Sequence, residues 1–333
     1  MTRVAKRILH HSGLLGLVRL ARSHAGGVVL RYHALTETTA PVVYAAPSIC
    51  MPIAAFRVQM AFVKRAYTVM PLDDLVSAVV NGGMLPPRAL AITFDDGYAD
   101  NHRLGLPVLR ALGLPATIYV ATGAVEDAAP FWVSAVRAIA LGAREQVLPM
   151  PNGGVRRLDE PGGREAAAGE LTRELVPVAA EARAVWLGET AHRAGVDLAR
   201  ALTGTMLGWA QIRELAAAGW TIGAHTVTHS NVALVDEARA EAEIAESRDA
   251  LASAIGTAVR HFCYPNSGGR HPYFASSVTG VLRKLGFRSA TTSRPGPLRP
   301  GVDPFLLPRL GVSPRLAAVP DLAAAMERQR LAA

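Results

Sequence analysis

The sequence predicts an α/β fold whose parallel strands curl into a barrel of the TIM type. Three observations lead there. Short apolar runs alternate with segments of helical period along most of the chain, the pattern of strands joined by crossover helices. Six or more of these runs end in polar residues, as strands do when they deliver side chains to the C-terminal face of a barrel. A length of 333 residues, half of them apolar and 19% charged, supports a sizeable core and excludes a disordered chain.

The elements follow in order. Arg3, Lys6 and Arg7 precede Leu14, Leu15, Leu17, Val18 and Leu20, and Arg19, Arg22 and His24 interrupt that apolar stretch. A secretory signal needs a longer unbroken apolar core, so residues 1–26 read as a basic amphipathic helix. It either packs on the domain, the favoured reading, or rests on an anionic membrane surface. The barrel domain then spans 27–333. Val28 to Tyr32 is a strand ending at His33, and a loop rich in Thr, Pro and Ala runs to about residue 52. Phe56, Met60, Phe62 and Val63 set a helix over 56–65, and a short strand covers 68–70. The next helix opens at Leu72-Asp73-Asp74, where an early Asp suits the helix dipole, and stops at Asn81-Gly82-Gly83. A strand over 89–94 delivers Asp95 and Asp96. A helix over 104–112, capped by Gly113, leads to a strand over 116–120.

After that the rhythm breaks. Residues from about 125 to 206 hold Phe131-Trp132, a helix over 133–140, a Pro- and Gly-rich stretch and an Ala/Glu/Arg-rich helical region. They read as an insertion on one βα loop, which either caps the active-site face or merely decorates it. The pattern then resumes: helix 209–218, strand 220–224 delivering His225, helix 237–255, strand 260–264, helix 275–285, strand 287–291, strand 306–312 and helix 319–331.

The net charge of +8 comes almost entirely from scattered arginines, with lysine only at Lys6, Lys64 and Lys284. Solvated surface is the first reading, attraction to anionic lipid or glycan the second. Nucleic acid comes last, since no binding module is present. Cys50 and Cys263 form no CxxC, and both are expected to stay unpaired. No apolar run reaches the ~18 residues of a membrane span. The expected location is cytoplasmic or peripheral to the inner membrane.

Chemistry concentrates in two stretches. Side chains alternate along an extended segment, so Asp95 and Asp96 point in different directions, and one can bind a metal while the other stays free. His225 and His229 stand four apart after a strand, without the Glu of a His-Glu-x-x-His helix. Each motif alone has a bland structural explanation. Together on separate strand ends, two imidazoles and one carboxylate make a facial triad for one divalent metal, with open positions for water and substrate. His33 ends another strand and is a candidate general acid. Tyr264-Pro265-Asn266 ends a further one and is a candidate oxyanion donor through backbone N–H groups or the Asn266 amide.

With these residues in view, the chain resembles the polysaccharide deacetylases of carbohydrate esterase family 4, which share the NodB homology domain. Thr93-Phe94-Asp95-Asp96-Gly97-Tyr98 matches the first family motif, and His225-Thr226-Val227-Thr228-His229 matches the second. The resemblance implies a distorted (β/α)7 barrel. It implies Asp95 as the base, with Asp96, His225 and His229 holding the metal, most often zinc. Two departures stand out. The third motif reads Arg260-His261-Phe262-Cys263-Tyr264-Pro265-Asn266, and the late Leu-x-His that supplies the acid is replaced by Leu307-Pro308-Arg309. The branch resembling poly-N-acetylglucosamine deacetylases carries a Tyr-His near its start in the acid role, and Tyr32-His33 fits it. Tyr98 and Arg309 join Tyr264, Pro265 and Asn266 as residues expected at the substrate. The implied activity is removal of N-acetyl or O-acetyl groups from an N-acetylhexosamine-containing glycan. The alternatives are an amidase or esterase acting on a small or lipid-linked sugar, and an inactive glycan-binding protein.

Overall fold

A computed structural model describes residues 12–22, 24, 26–265 and 271–331. Helix α1 (Leu14–Ala21) leads to β1 (Val28–Tyr32), a small parallel pair β2 (Ala34–Thr36) and β3 (Cys50–Pro52), α2 (Ile53–Ala66), β4 (Thr68–Val69) and α3 (Leu72–Val80). The units β5 (Ala89–Phe94), α4 (Leu106–Leu112) and β6 (Thr117–Val120) follow. The insertion then contributes α5 (Trp132–Gly142), β7 (Val147–Pro149), β8 (Val155–Arg157), α6 (Gly163–Leu175), α7 (Ala180–Arg193) and α8 (Leu198–Leu202). The barrel resumes with α9 (Trp209–Ala217), β9 (Thr221–Ala224), α10 (Glu237–Ile255), β10 (His261–Cys263), α11 (Ser276–Lys284), β11 (Ser289–Thr291), β12 (Leu310–Gly311) and α12 (Val319–Leu331).

The main sheet runs β11-β10-β9-β6-β5-β1-β12, all neighbours parallel, with β4 beside the start of β5. A parallel bridge between Thr291 and Leu307 brings the last segment against β11, so the sheet closes into the expected distorted seven-stranded barrel. Much of the distortion lies at that seam. The sequence predicts a strand over 306–312, but Pro308 has no N–H to give the ladder, and regular pairing survives only at β12. Inside the barrel Tyr119 crosses towards Gly223, where an added Cβ would lie 2.4 Å from the Tyr119 ring, so glycine is required. Outside, Phe94 stacks on Trp220 with centroids 5.2 Å apart, part of the large core between strands and helices.

The insertion has its own core, built on Trp132, Val136, Ile139, Leu148, Leu171 and Leu187. Its exit strand returns to the catalytic turn: Ala99 N–H donates to Thr205 O and Leu207 N–H to Gly97 O, both at 2.9 Å. It therefore stands on the face where the strands end. The hairpin of β7 and β8, turned at Asn152-Gly153-Gly154, was not evident because each strand is only three residues long.

α1 packs on the domain, but not through its leucines. Buried Arg19 pairs with Glu327 at 3.0 Å and lies 5.1 Å from the rings of Phe62 and Tyr67, while Leu14, Leu17 and Leu20 face outward. Arg3, Lys6 and Arg7 lie outside the described residues. Both cysteines are free and buried, and among the described residues no helix is long and apolar enough to cross a membrane.

Candidate active site

Four strand ends converge. β1 presents His33, β5 presents Asp95 and Asp96, β9 leads into His225 and His229, and the segment around β12 presents Arg309. All but His33 are buried, and His33 is only partly exposed.

Asp96 Oδ1 stands 3.3 Å from His225 Nε2 and 3.3 Å from His229 Nε2. Ligands at about 2.0–2.2 Å from a tetrahedral ion stand roughly 3.3–3.6 Å apart, so these three atoms suit one divalent cation. The tautomer of His225 agrees: its Nδ1 lies 2.7 Å from Cys263 O, a bond that needs Nδ1–H and leaves the Nε2 lone pair for a metal. His229 Nδ1 has no partner among the described residues, and its ring is steadied instead by Phe131, centroids 5.1 Å apart. A second donor set, Asp95, His225 and Cys263, shares His225. It is the weaker candidate, because Arg309 already engages both Asp95 and Cys263.

Asp95 follows the last residue of β5, whereas Asp96 lies in the turn beyond it with φ 76°, so the turn and not strand alternation gives the two carboxylates different partners. Arg309 donates to it through Nη1 to Oδ1 at 2.6 Å and Nη2 to Oδ2 at 2.8 Å. Burial opposes ionisation of the Asp95 carboxyl, but the Arg309 charge and the facing His33 outweigh it and hold the group at about 2. His33 Nε2 stands 3.8 Å from Asp95 Oδ2, and burial lowers the imidazole to about 4, so the resting ring is neutral near pH 7. The two imidazole contacts outweigh burial at Asp96 and keep it ionised.

The backbone here is strained. Asp96, Thr226 and His229 adopt φ of 76°, 64° and 52°, in the left-handed region that non-glycine residues avoid. A residue the sequence did not single out holds the histidine loop in that shape. Glu243, buried on α10, accepts Val227 N–H at 2.9 Å, Thr228 N–H at 2.8 Å and the Thr228 hydroxyl at 2.7 Å. From the other side Gly123 N–H donates to Val227 O at 2.8 Å, so close that a Cβ on Gly123 would strike that oxygen. The insertion adds Trp132 Nε1–H to His229 O at 3.3 Å and Arg183 Nη2–H to Thr228 O at 3.1 Å. The only available signal for Glu243 was an acidic residue on an amphipathic helix, which is ordinarily a solvated one. Asp100 was also missed. It accepts Leu35 N–H and the Tyr44 hydroxyl and ties the β2 segment to the turn.

The substrate assignments made on the sequence need correction. Arg309 is fully buried, and beyond Asp95 it donates to Thr93 Oγ1 and Thr292 O, so it orients Asp95 and is not open to a substrate. Tyr98 is fully buried with its ring packed on Tyr44 and Phe131, a packing role. The Tyr264 N–H donates to Thr291 O at 3.2 Å and its ring packs on Phe262, and Pro265 has no N–H, so neither supplies an oxyanion donor from its backbone. Asn266 lies outside the described residues.

A family model described as polysaccharide deacetylase matches residues 82–290, more than half of the chain. The chain belongs to the polysaccharide deacetylase family. It is thus a carbohydrate deacetylase, a hydrolase of a family that generally uses a divalent metal. Solved structures agree on the fold. The Streptococcus pyogenes deacetylase PplD in complex with acetate is 16% identical at a TM-score of 0.60, over 90% of this chain and 98% of that one. IcaB from Ammonifex degensii is 20% identical at 0.59, over 91% and 97%. A de-N-acetylase from Aggregatibacter actinomycetemcomitans is 17% identical at 0.53, over 85% and 94%. Comparison with the curated proteins gave no match.

Proposed function

We propose that this deacetylase removes N-acetyl groups from an N-acetylhexosamine-containing oligo- or polysaccharide, with Asp96, His225 and His229 holding one zinc ion, Asp95 as general base and His33 as general acid. The observation that carries the reading is the pair of equal 3.3 Å separations from Asp96 Oδ1 to the two imidazoles, with Asp95 held by Arg309 and facing His33. A zinc bound there supplies a Lewis acid for the acetyl carbonyl and a lowered pKa for water.

The chain's own residues do the rest. Arg309 fixes Asp95 bidentately, so its carboxylate meets the attacking water in one orientation. Asp95 takes a proton from that water as the C–O bond forms. Neutral His33, facing Asp95 Oδ2, gains that proton and delivers it to the nitrogen as the C–N bond breaks. The products are acetate and a free amino sugar. The fold shared with a protein described as a de-N-acetylase agrees with an N-acyl substrate.

A second reading, a short or lipid-linked substrate, is favoured by the insertion, which brings Phe131 against the His229 ring and narrows that side of the face. The outward leucines of α1 support, beside the packing of its Arg19 face, the alternative reading of contact with a membrane surface.

Zinc content and acetate release from N- and O-acetylated glycans of graded length, with and without chelator, test the proposal. Asp95→Asn should keep its zinc and lose about 10²–10⁴-fold in turnover, while His225→Ala should lose both. An Asp95→Asn enzyme that turns over at the wild-type rate sinks the assignment. Activity confined to monomers would favour the short-substrate reading.

A further inference from the structure

Beside the histidine loop, between the insertion and the barrel, lies a cavity of about 330 Å³. Its walls are apolar: Phe131, Trp132, Ala184, Leu187 and Leu198. One charge borders it, the guanidinium of Arg183, which is 2% exposed. Arg183 lies 4.4 Å from the Trp132 ring and gives Nη2–H to Thr228 O at 3.1 Å and a long contact from Nη1 to Val178 O at 3.5 Å. No carboxylate among the described residues pairs with it. Glu181 pairs with Arg239, and Glu243 is engaged by the loop it holds. Three of the five N–H donors of Arg183 thus have no protein partner among the described residues. Burial lowers its pKa to about 10 while the charges of Glu243 and Glu181, acting at longer range, oppose the shift, so the charge persists at neutral pH.

A buried guanidinium with unmatched N–H groups is unfavourable unless an acceptor joins it, and the walls around this one suit a hydrocarbon. We propose that the cavity binds a medium-chain fatty-acid anion, its carboxylate on the free N–H groups of Arg183 and its chain against Trp132, Leu187 and Leu198. The volume is at the lower end for small-molecule sites, which suits one short chain. The site adjoins the histidine loop through Phe131, Trp132 and Thr228 but uses none of the three metal-binding side chains, and it does not rest on the activity proposed for them.

Calorimetric titration of the whole protein with decanoate, hexanoate and decan-1-ol, below their aggregation limits, tests this. Decanoate should bind saturably, each methylene beyond hexanoate tightening binding by about fourfold. Decan-1-ol should bind at least tenfold more weakly. Gly188→Leu should cost decanoate at least tenfold. Gly188 lines the cavity on α7, an added Cβ there meets nothing within 4 Å, and leucine suits a helix better than glycine, so the variant should melt no lower than wild type. Arg183→Met should remove the preference for decanoate over decan-1-ol. If that variant does not fold, Gly188→Leu and the alcohol comparison decide. No saturable decanoate binding, equal affinity for the alcohol, or full binding by Gly188→Leu would each overturn the proposal.

Discussion

Replacing Glu243 with alanine should weaken binding of the proposed zinc ion although Glu243 touches no ligand atom. Its carboxylate accepts three hydrogen bonds from Val227 and Thr228, between the two histidines. Bonds to a charged acceptor contribute about 1.5–3 kcal/mol each, roughly 5–9 kcal/mol before relaxation. Water entering the gap recovers part of this, leaving a net loss of about 3–5 kcal/mol, the range for dismantling a buried ionic contact. The same bonds oppose the left-handed strain at Thr226 and His229, which costs about 1–3 kcal/mol per residue. Once they are gone the loop can relax, and the imidazoles leave their 3.3 Å spacing about Asp96 Oδ1. Loss of an outer-shell partner commonly costs 10–100-fold in metal affinity, about 1.4–2.8 kcal/mol. Chelator competition at pH 7 measures that affinity, with melting temperature followed in parallel. Glu243→Gln keeps one carbonyl acceptor for the two backbone N–H groups and should fall between wild type and alanine. If Glu243→Ala binds zinc within twofold of wild type while still folded, the loop does not depend on this carboxylate and the reasoning fails.

Two further outcomes follow from buried charges. Arg309→Met leaves Asp95 buried without its partner and should cost about 3–5 kcal/mol in stability and about 10²-fold in turnover as the carboxylate loses its orientation. Arg309→Lys should recover part of both, and wild-type turnover in the Met variant would show that Asp95 needs no guanidinium. Asp100 carries the pH dependence. Burial raises its carboxyl to about 7 despite bonds from Leu35 N–H and the Tyr44 hydroxyl. The unfolded value is about 3.9, so between those pH values the folded chain holds a proton the unfolded chain has released. This group's stability is fully present below about pH 4 and falls by up to roughly 4 kcal/mol as pH rises to 7. Asp100→Asn should flatten the decline in melting temperature from pH 5 to 8, and an unchanged slope would refute the raised value.

Much of the fold was legible because the barrel repeats one local rule. β1, β5 and α10 have the bounds that hydrophobic period and caps indicate. The missed strands β2, β3, β7 and β8 are each three residues long, too short for a period to register, while the strand expected over 306–312 is cut back to β12 at Pro308. At the site, the two motifs were enough to place both histidines beside Asp96 and to leave Asp95 for other partners, which are Arg309 and His33. Arg309 and Tyr98 were assigned to the substrate for want of any local signal that they are buried. Glu243, Arg183 and Trp132 gave no signal either, because each meets the histidine loop from a distant helix.

Taken alone, the sequence determined the alternation of strands and helices, the two motifs and so the family and its chemistry, since these depend on neighbours along the chain. Only the tertiary structure decided which groups face those motifs: Arg309 on Asp95, Glu243 behind the histidines, the insertion against His229, and a cation at the edge of an apolar cavity. The division is physical. Periodicity and turn chemistry are local, whereas burial, pairing and pKa depend on what other segments bring within a few ångströms.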